Sequence, residues 1–142
     1  MKTLYFICIL FLISKIGFCQ NSALEITVTN IRNSTGTIKW AVFKNETQFN
    51  KYDEYVDAGY VKAKQGSITI TTKNLPDGNY AISVYHDENN NSEIDFNFLG
   101  LPTEGFGFSN NPVIYFGPPS FRECCFDKNR KKNVSIKVKY YL

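Results

Sequence analysis

Cysteine and histidine are scarce in this chain of 142 residues, which holds four cysteines and one histidine. Cys8 and Cys19 belong to an apolar amino-terminal segment, so only Cys124 and Cys125 remain for the folded part. A disulfide between adjacent residues requires strained geometry, and no cysteine–histidine spacing typical of zinc sites occurs. The sequence therefore excludes a disulfide scaffold and a structural zinc site.

The single histidine also limits the chemistry open to the chain. The sequence contains no G-x-S-x-G nucleophile motif, no H-E-x-x-H zinc motif and no phosphate-binding P-loop. His86 lies in phase with Ile82 and Val84, so we expect it to point inward and to bond loop backbone at the core edge. A carboxylate pair of Asp95 and Glu104 is the alternative. We predict no catalytic residue.

An excess of charge of one sign is also missing. The chain has 16 basic and 13 acidic residues, and an amino-terminal leader that removes Lys2 and Lys15 leaves 14 against 13. Such a balance does not favour nucleic acid or an anionic membrane as a general partner. The one basic run, residues 128–132, is expected to be a solvated hairpin turn.

The amino terminus has the three parts of a secretory signal peptide. Lys2 supplies the positive charge, and residues 4–13 form an unbroken apolar run. The small residues Gly17 and Cys19 then occupy the positions that precede a cleavage site. The apolar run is shorter than the about 20 residues of a transmembrane helix. We predict a signal peptide over residues 1–19, with a membrane anchor as the alternative.

Cleavage between Cys19 and Gln20 leaves residues 20–142, which is the length of one domain. We predict that this single domain is secreted or periplasmic and that the mature chain has no membrane span. A lipoprotein acylated at Cys19 is a further alternative. Phe18 argues against it, because acylation signals place a small residue before the cysteine.

Apolar residues recur at every second position along most of the mature chain, which is the pattern of half-buried strands. The runs are ALEITVTN (23–30), TIKWAVF (37–43), SITITT (67–72), YAISVYH (80–86) and NVSIKVKYYL (133–142). Trp40 is in phase with Ile38 and Val42, so we expect it in the core. The sequence predicts an all-β fold, a single antiparallel β-sandwich of about seven strands, immunoglobulin-like or transthyretin-like.

Two segments interrupt this rhythm. Residues 45–56 predict either a short helix, with Phe49 and Tyr52 on one side, or an irregular crossover. Residues 87–120 form one long loop rich in glycine, phenylalanine and asparagine, with one candidate strand at 113–116. Loops of this length inside a compact domain are usually functional or well packed in their own right.

Acidic and amide side chains alternate at the start of that long loop. A hard cation such as Ca²⁺ prefers six to eight oxygen ligands from carboxylates, amides and backbone carbonyls. The candidate ligands are the side chains of Asp87, Asn89, Asn91 and Asp95 and the carbonyl oxygen of Glu93. They occupy the spacing of a calcium loop, so the sequence predicts a Ca²⁺ site here.

This loop is not an EF-hand. Phe98 stands where a bidentate glutamate closes that motif, and Ser92 replaces the usual glycine of the sharp turn. No helical pattern flanks the loop. A polar turn without an ion, in which Asp and Asn bond their own backbone, explains the same residues, and both interpretations stay open.

The tract FNFLGLPTEGFGFSNNPVIYFGPPSF, residues 96–121, interleaves aromatic residues with glycines. Such a tract can form a stacking platform for sugars or peptide chains. It can equally form a satellite core that pins a long loop, which is the commoner arrangement because phenylalanine is mostly buried.

Three stretches carry a family resemblance, namely NLPDGNYAISVYHDENNN (74–91), IDFNFLGLPTEGFGFSNN (94–111) and FGPPSF (116–121). With these the chain resembles the secreted bacterial domain-of-unknown-function family 2141 over essentially the whole mature chain. The resemblance implies a small exported β-sandwich with no established activity. Ser92 departs from the family pattern, which has glycine there. The shorter L-P-x-G-x-Y stretch (75–80) is similar to transthyretin-like and carboxypeptidase-regulatory domains.

We therefore expect an exported, non-enzymatic module that binds an envelope protein or a glycan through its loop end, with Ca²⁺ stabilising residues 87–95. The alternative is an envelope hydrolase or carbohydrate-active enzyme with an unrecognised site. A purely structural envelope component is a third option. A concave pocket lined by a cluster of titratable side chains would favour the enzyme.

The predicted cleavage site makes a direct prediction about the exported protein. Mass spectrometry of the secreted or periplasmic chain should give a mass that begins at Gln20, with or without cyclisation of that glutamine. A diacylated Cys19 at the amino terminus would contradict it.

Overall fold

Eight strands and two one-turn helices make up the part of the chain that the computed structural model describes, which is residues 21–49, 51, 54–115 and 117–141. The elements are β1 (Glu25–Ile31), β2 (Thr37–Phe43), α1 (Glu46–Phe49), β3 (Asp57–Lys62), β4 (Gly66–Thr71), β5 (Asn79–Asp87), β6 (Gly105–Phe108), α2 (Phe121–Cys124), β7 (Phe126–Asp127) and β8 (Asn133–Lys137). The predicted signal peptide and its cleavage site lie outside the described residues. No helix within these ranges is long and apolar enough to cross a membrane.

The strands form two sheets. The smaller sheet has the order β4-β1-β8, and the larger has the order β3-β2-β5-β6, with β7 paired to the first residues of β5. All pairings are antiparallel except β1 with β8, which run parallel. The predicted all-β sandwich is confirmed, and the parallel pair is the one departure from a purely antiparallel arrangement.

The core lies between the two sheets, where the alternating residues of both inner faces meet. Trp40 is buried there in one cluster with Ile82 and Val138, as the strand phase predicts. Its ring lies against Gly59 of β3, where an added Cβ would stand 3.0 Å from Trp40 Cζ2. Glycine at this position therefore makes room for the indole.

The carboxy-terminal segment closes one side of the sandwich. Phe106 and Lys139 exchange backbone hydrogen bonds of 3.1 and 2.8 Å, which ties β6 of the larger sheet to the chain that follows β8. This approach requires Gly107, because a Cβ there would lie 2.8 Å from Ile136 Cγ2. The glycine-rich character of β6 is thus a packing requirement.

Several local expectations need correction. The predicted strand at 113–116 is wrong, because residues 113–115 form no ladder and Phe116 lies outside the described residues. In the segment 45–56 the described residues include the short helix α1, and Tyr52 lies outside the described residues. In the basic run, Lys128 is buried rather than solvated, and its Nζ donates to Ser22 Oγ at 2.9 Å.

The two short helices cover half of the outer face of the larger sheet. Phe43, Phe49, Phe108 and Cys124 form a second buried cluster there. Burial raises the pKa of the Cys124 thiol to about 12, while the free thiol of Cys125 is only half-buried. Among the residues that the structure describes, no helix covers the other half of this face.

Candidate functional site

A cleft of about 870 Å³ opens on the uncovered half of the outer face of the larger sheet. Its floor consists of small residues on three neighbouring strands, because Ala41 of β2 pairs with Ala58 of β3 on one side and with Ser83 of β5 on the other. Side chains this short leave a depression in the middle of a sheet face. The volume lies in the range usual for small-molecule sites.

Aromatic side chains surround this floor. Tyr85 pairs with Phe106 across β5 and β6, and Tyr60 lies at the β3 edge. Tyr141 stacks on Phe106 with ring centroids 5.5 Å apart and planes 15° from parallel. The sheet therefore presents flat aromatic walls around a small apolar base.

Two loop segments complete the walls. The segment between β5 and β6 contributes Ile94, Phe96 and Leu101, and the segment between β6 and α2 contributes Ile114 and Tyr115. Apart from Ile94, these residues belong to the aromatic–glycine tract that the sequence singles out. The tract also contributes to the satellite core, because Phe108 belongs to the second buried cluster and Phe106 packs against it.

The acidic loop lies at one end of the cleft and is anchored by Asp87, the last residue of β5. Asp87 is fully buried and accepts hydrogen bonds from the backbone N–H groups of Asn91 (3.1 Å) and Ser92 (3.0 Å). Lys39 of β2 reaches the same carboxylate at 2.9 Å and donates to Ser92 Oγ at 2.6 Å. Ser92 adopts φ of +71°, the left-handed turn for which glycine is usual.

The remaining predicted ligands meet at Asp95. The side-chain amides of Asn89 and Asn91 donate to its carboxylate at 2.6 and 3.1 Å. Their amide oxygens accept from the backbone N–H groups of Asn91 and Glu93. The structure therefore brings all four predicted side chains into one loop, and the Glu93 carbonyl lies on that loop. The amide oxygens face the backbone in this arrangement, as in the polar-turn interpretation.

Charge partners around the loop lower the pKa of two carboxyl groups. Burial by itself raises the pKa of Asp87, but hydrogen bonds from Lys39 and the Ser92 N–H outweigh it, and the pKa falls below its usual value. The Arg32 guanidinium lowers the pKa of Glu88, helped by the Asn33 amide. Both carboxylates are therefore held in their charged form.

His86 and Glu104 are buried and engaged in structural hydrogen bonds. His86 Nε2 lies 2.7 Å from the Thr35 carbonyl, so this nitrogen donates, and Nδ1 lies 2.8 Å from the Tyr140 hydroxyl. Glu104 Oε1 accepts from the Glu88 N–H at 2.8 Å, and its Oε2 lies 3.5 Å from the Asp95 N–H. Glu104 therefore caps backbone at both ends of the acidic loop. It lies near Asp95 without facing an open site.

Sequence reasoning found the acidic loop and the aromatic tract but missed the floor of the cleft and Lys39. Ala41 and Ser83 occupy outward strand positions, where small residues carry no signal of their own. Ala58 belongs to β3, a strand that the sequence pattern did not reveal. Within the described ranges, no three His, Cys, Asp or Glu side chains gather in a metal-binding arrangement.

Comparison with known proteins identifies one family. The model of a family described as uncharacterised proteins conserved in bacteria, DUF2141, matches residues 26–137. This range includes every strand except the first residue of β1, and it includes the acidic loop and every cleft residue except Tyr141. Neither a curated protein nor a solved structure matches the chain.

The buried Asp87 carboxylate predicts an acid-sensitive contribution to stability. Because its pKa is lowered on folding, this contribution is fully present above about pH 4 and is lost as the pH falls through the lowered value. Asp87→Asn should lower the free energy of unfolding by about 1–3 kcal/mol at pH 7, measured by urea denaturation. The difference from wild type should shrink at pH 3.

Glu93→Gln is the matched control, because no described residue bonds the Glu93 side chain. It should leave the free energy of unfolding within about 0.5 kcal/mol of wild type. An Asp87→Asn deficit of the same size at both pH values would show that the charge of Asp87 contributes nothing.

Proposed function

Because the chain belongs to the bacterial DUF2141 family, whose description assigns no activity, we propose that it is an exported, non-enzymatic binding module. In this proposal the cleft takes an elongated ligand with an apolar body. The observation that carries it is the combination of a small-residue floor with aromatic walls on the part of the outer sheet face that the described helices leave uncovered. Export rests on the predicted signal peptide.

The exposure of large apolar side chains supports a ligand at this place. Nine such side chains are exposed among the described residues, and six of them line the cleft. These six are Tyr55, Tyr60, Phe96, Leu101, Tyr115 and Tyr141. Concentrated apolar exposure marks interaction sites, because a free monomer gains nothing from leaving such surface in water.

The charge of the cleft favours a ligand whose body is uncharged. Among the described lining residues, only Lys39 and Glu93 carry a charge at pH 7. The tyrosines of the lining are neutral at this pH. The Asp87 carboxylate already neutralises Lys39. The cleft therefore offers its ligand apolar contacts and tyrosine hydroxyls rather than a fixed charge.

The same lining favours binding over hydrolysis of a glycan. Glycoside hydrolases use two carboxyl groups on either side of the scissile bond, whereas Glu93 is the one carboxylate among the described lining residues. Sugar hydroxyls also need polar partners when they leave water. A glycan ligand is therefore the weaker alternative, and an apolar ligand is the stronger one.

The fluorescent probe 1-anilinonaphthalene-8-sulfonate, which has apolar rings and an anionic sulfonate, tests the cleft. Ser83→Phe places a ring on the floor and should weaken probe binding at least about tenfold, because it fills the space that the probe's rings occupy. Fluorescence titration of the folded proteins measures this. Each variant should keep the melting temperature of wild type to within a few degrees.

Ser135→Phe is the matched control, because Ser135 is an exposed strand serine on the smaller sheet, outside the cleft lining. It should bind the probe as wild type does. Unchanged probe binding by Ser83→Phe would remove the cleft from the proposal.

We further propose that Ca²⁺ binds weakly at the acidic loop and stiffens the wall of the cleft. The support is the gathering of Asp87, Asn89, Asn91 and Asp95 in one turn, with Ser92 in the left-handed conformation of a calcium-loop turn. Two features oppose tight binding. The asparagine amides must rotate to present oxygen, and the Lys39 ammonium competes for Asp87.

A thermal melt in millimolar Ca²⁺ tests this site. With only two carboxylate ligands, we expect a dissociation constant of about 10⁻⁴ to 10⁻³ M. Ten times that concentration adds about 1.4 kcal/mol and raises the melting temperature by a few degrees. Asp95→Asn should abolish the shift, and Lys39→Gln should enlarge it because it removes the competing cation.

Mg²⁺ is the control ion, because its stricter octahedral geometry suits this loop less well. Equal effects of the two ions, or a wild-type protein insensitive to Ca²⁺, would leave the polar turn as the correct interpretation.

A further inference from the structure

Two loop tips beside the cleft carry apolar side chains that belong neither to the core nor to the cleft lining. The first tip carries Phe98 and Leu99, and the second carries Val113. Phe98 is 94% exposed, Leu99 is 67% exposed and Val113 is 66% exposed, and none of the three lines the cleft. Their neighbours along the chain, Leu101 and Tyr115, do line it. The mouth of the cleft is therefore bordered by apolar groups directed to solvent.

The first tip is held in a defined turn. Phe96 and Pro102 form an isolated bridge, and the Gly100 N–H donates to the Asn97 carbonyl at 2.9 Å. The Asn97 side-chain oxygen accepts from the N–H groups of Leu99 (2.9 Å) and Leu101 (3.0 Å). Hydrogen bonds within residues 97–101 therefore fix the turn in the shape that exposes its two central residues to solvent.

Those two central residues are Phe98 and Leu99, where Gly, Pro, Asn, Asp or Ser usually stand in a turn. Residues 96–102 contain no charged side chain. Moving this tip out of water would therefore remove no charge from its hydration shell, and it would bury two large apolar groups.

The second tip, which carries Val113, has two lysine side chains beneath it. Lys139 Nζ donates to the Pro112 carbonyl at 2.8 Å, and Lys131 Nζ donates to Asn110 Oδ1 at 3.3 Å. Neither ammonium is in an ion pair with a carboxylate of the described residues. Two cations without a counter-charge therefore lie under an apolar tip that carries Val113.

We propose that this rim docks on a lipid bilayer that carries anionic headgroups. Phe98 and Leu99 enter the boundary of the acyl region, and Lys131 and Lys139 meet the phosphates. Exposed tyrosines around the mouth suit the headgroup level, where an apolar ring and a hydroxyl are both satisfied. An apolar tip above a basic base is the pattern of interfacial membrane binding.

Docking in this way places the mouth of the cleft against the membrane surface. The proposal rests on the proposed function in one respect, since the ligand would enter the cleft from the bilayer. Its chemical class is then a lipid or another amphiphile of the membrane. Docking itself depends on the tips and the lysines, whereas ligand binding depends on the floor, so the two can fail separately.

Co-sedimentation of the full folded chain with vesicles tests the proposal. The vesicles consist of phosphatidylcholine with and without phosphatidylglycerol. The double variant Phe98→Ser/Leu99→Ser should lower the partition coefficient on both vesicles at least about tenfold, because the tip loses its apolar contact. Lys131→Gln/Lys139→Gln should lose about fivefold or more on phosphatidylglycerol vesicles alone, and added salt should produce the same loss in wild type.

Lys44→Gln/Lys64→Gln is the matched charge control, because both lysines are exposed and lie on other loops. It should bind vesicles as wild type does. Ser83→Phe should also bind vesicles normally while it loses the fluorescent probe, which separates docking from ligand binding.

Two outcomes would overturn the docking surface. In the first, wild type stays in the supernatant with both vesicle types while it still binds the probe. The proposed function then stands, and the apolar rim belongs to a protein contact. In the second, the tip variant sediments as wild type does, which would place any membrane contact elsewhere on the molecule.

Discussion

The pairing of β2 with β5 is the constraint on which the rest of the structure depends, because one register serves two faces. Trp40 lies opposite Val84 on the inner face, and Ala41 lies opposite Ser83 on the outer face. A slip of one residue would move the indole onto the outside of the sheet and the small residues into the core. The core and the cleft are therefore two consequences of the same alignment.

Much of the fold follows from the period of two. The strands β1, β2, β4, β5 and β8 largely alternate more buried with less buried side chains, so their apolar pattern matches a sheet with one face in the core. The three others carry no such signal. Residues 57–62 (DAGYVK) lack alternation, residues 105–108 (GFGF) contain two glycines, and β7 has only two residues. Those strands exist because neighbouring chain segments supply their partners, which no local pattern records.

The candidate site likewise has a part that local sequence predicts and a part that depends on strand pairing. The acidic loop is local, so its spacing correctly indicated that Asn89, Asn91 and Asp95 come together. Lys39 comes from a different strand and reaches Asp87 only through the β2–β5 register, which the sequence pattern does not reveal. The floor of the cleft is formed by residues with small side chains, which leave space and match no recognisable sequence motif. A depression lined by alanine and serine is visible only once the strands are aligned.

The parallel pairing of β1 with β8 has a consequence for how the chain reaches its native state. Glu25 lies beside Asn133, a separation of 108 residues, so the central strand of the smaller sheet lacks one neighbour until almost the whole chain has emerged. Contacts of such long range slow folding, because the loop must close before the contact forms. The smaller sheet is therefore completed only when β8 pairs with β1, whereas the strands of the larger sheet all lie earlier in the chain.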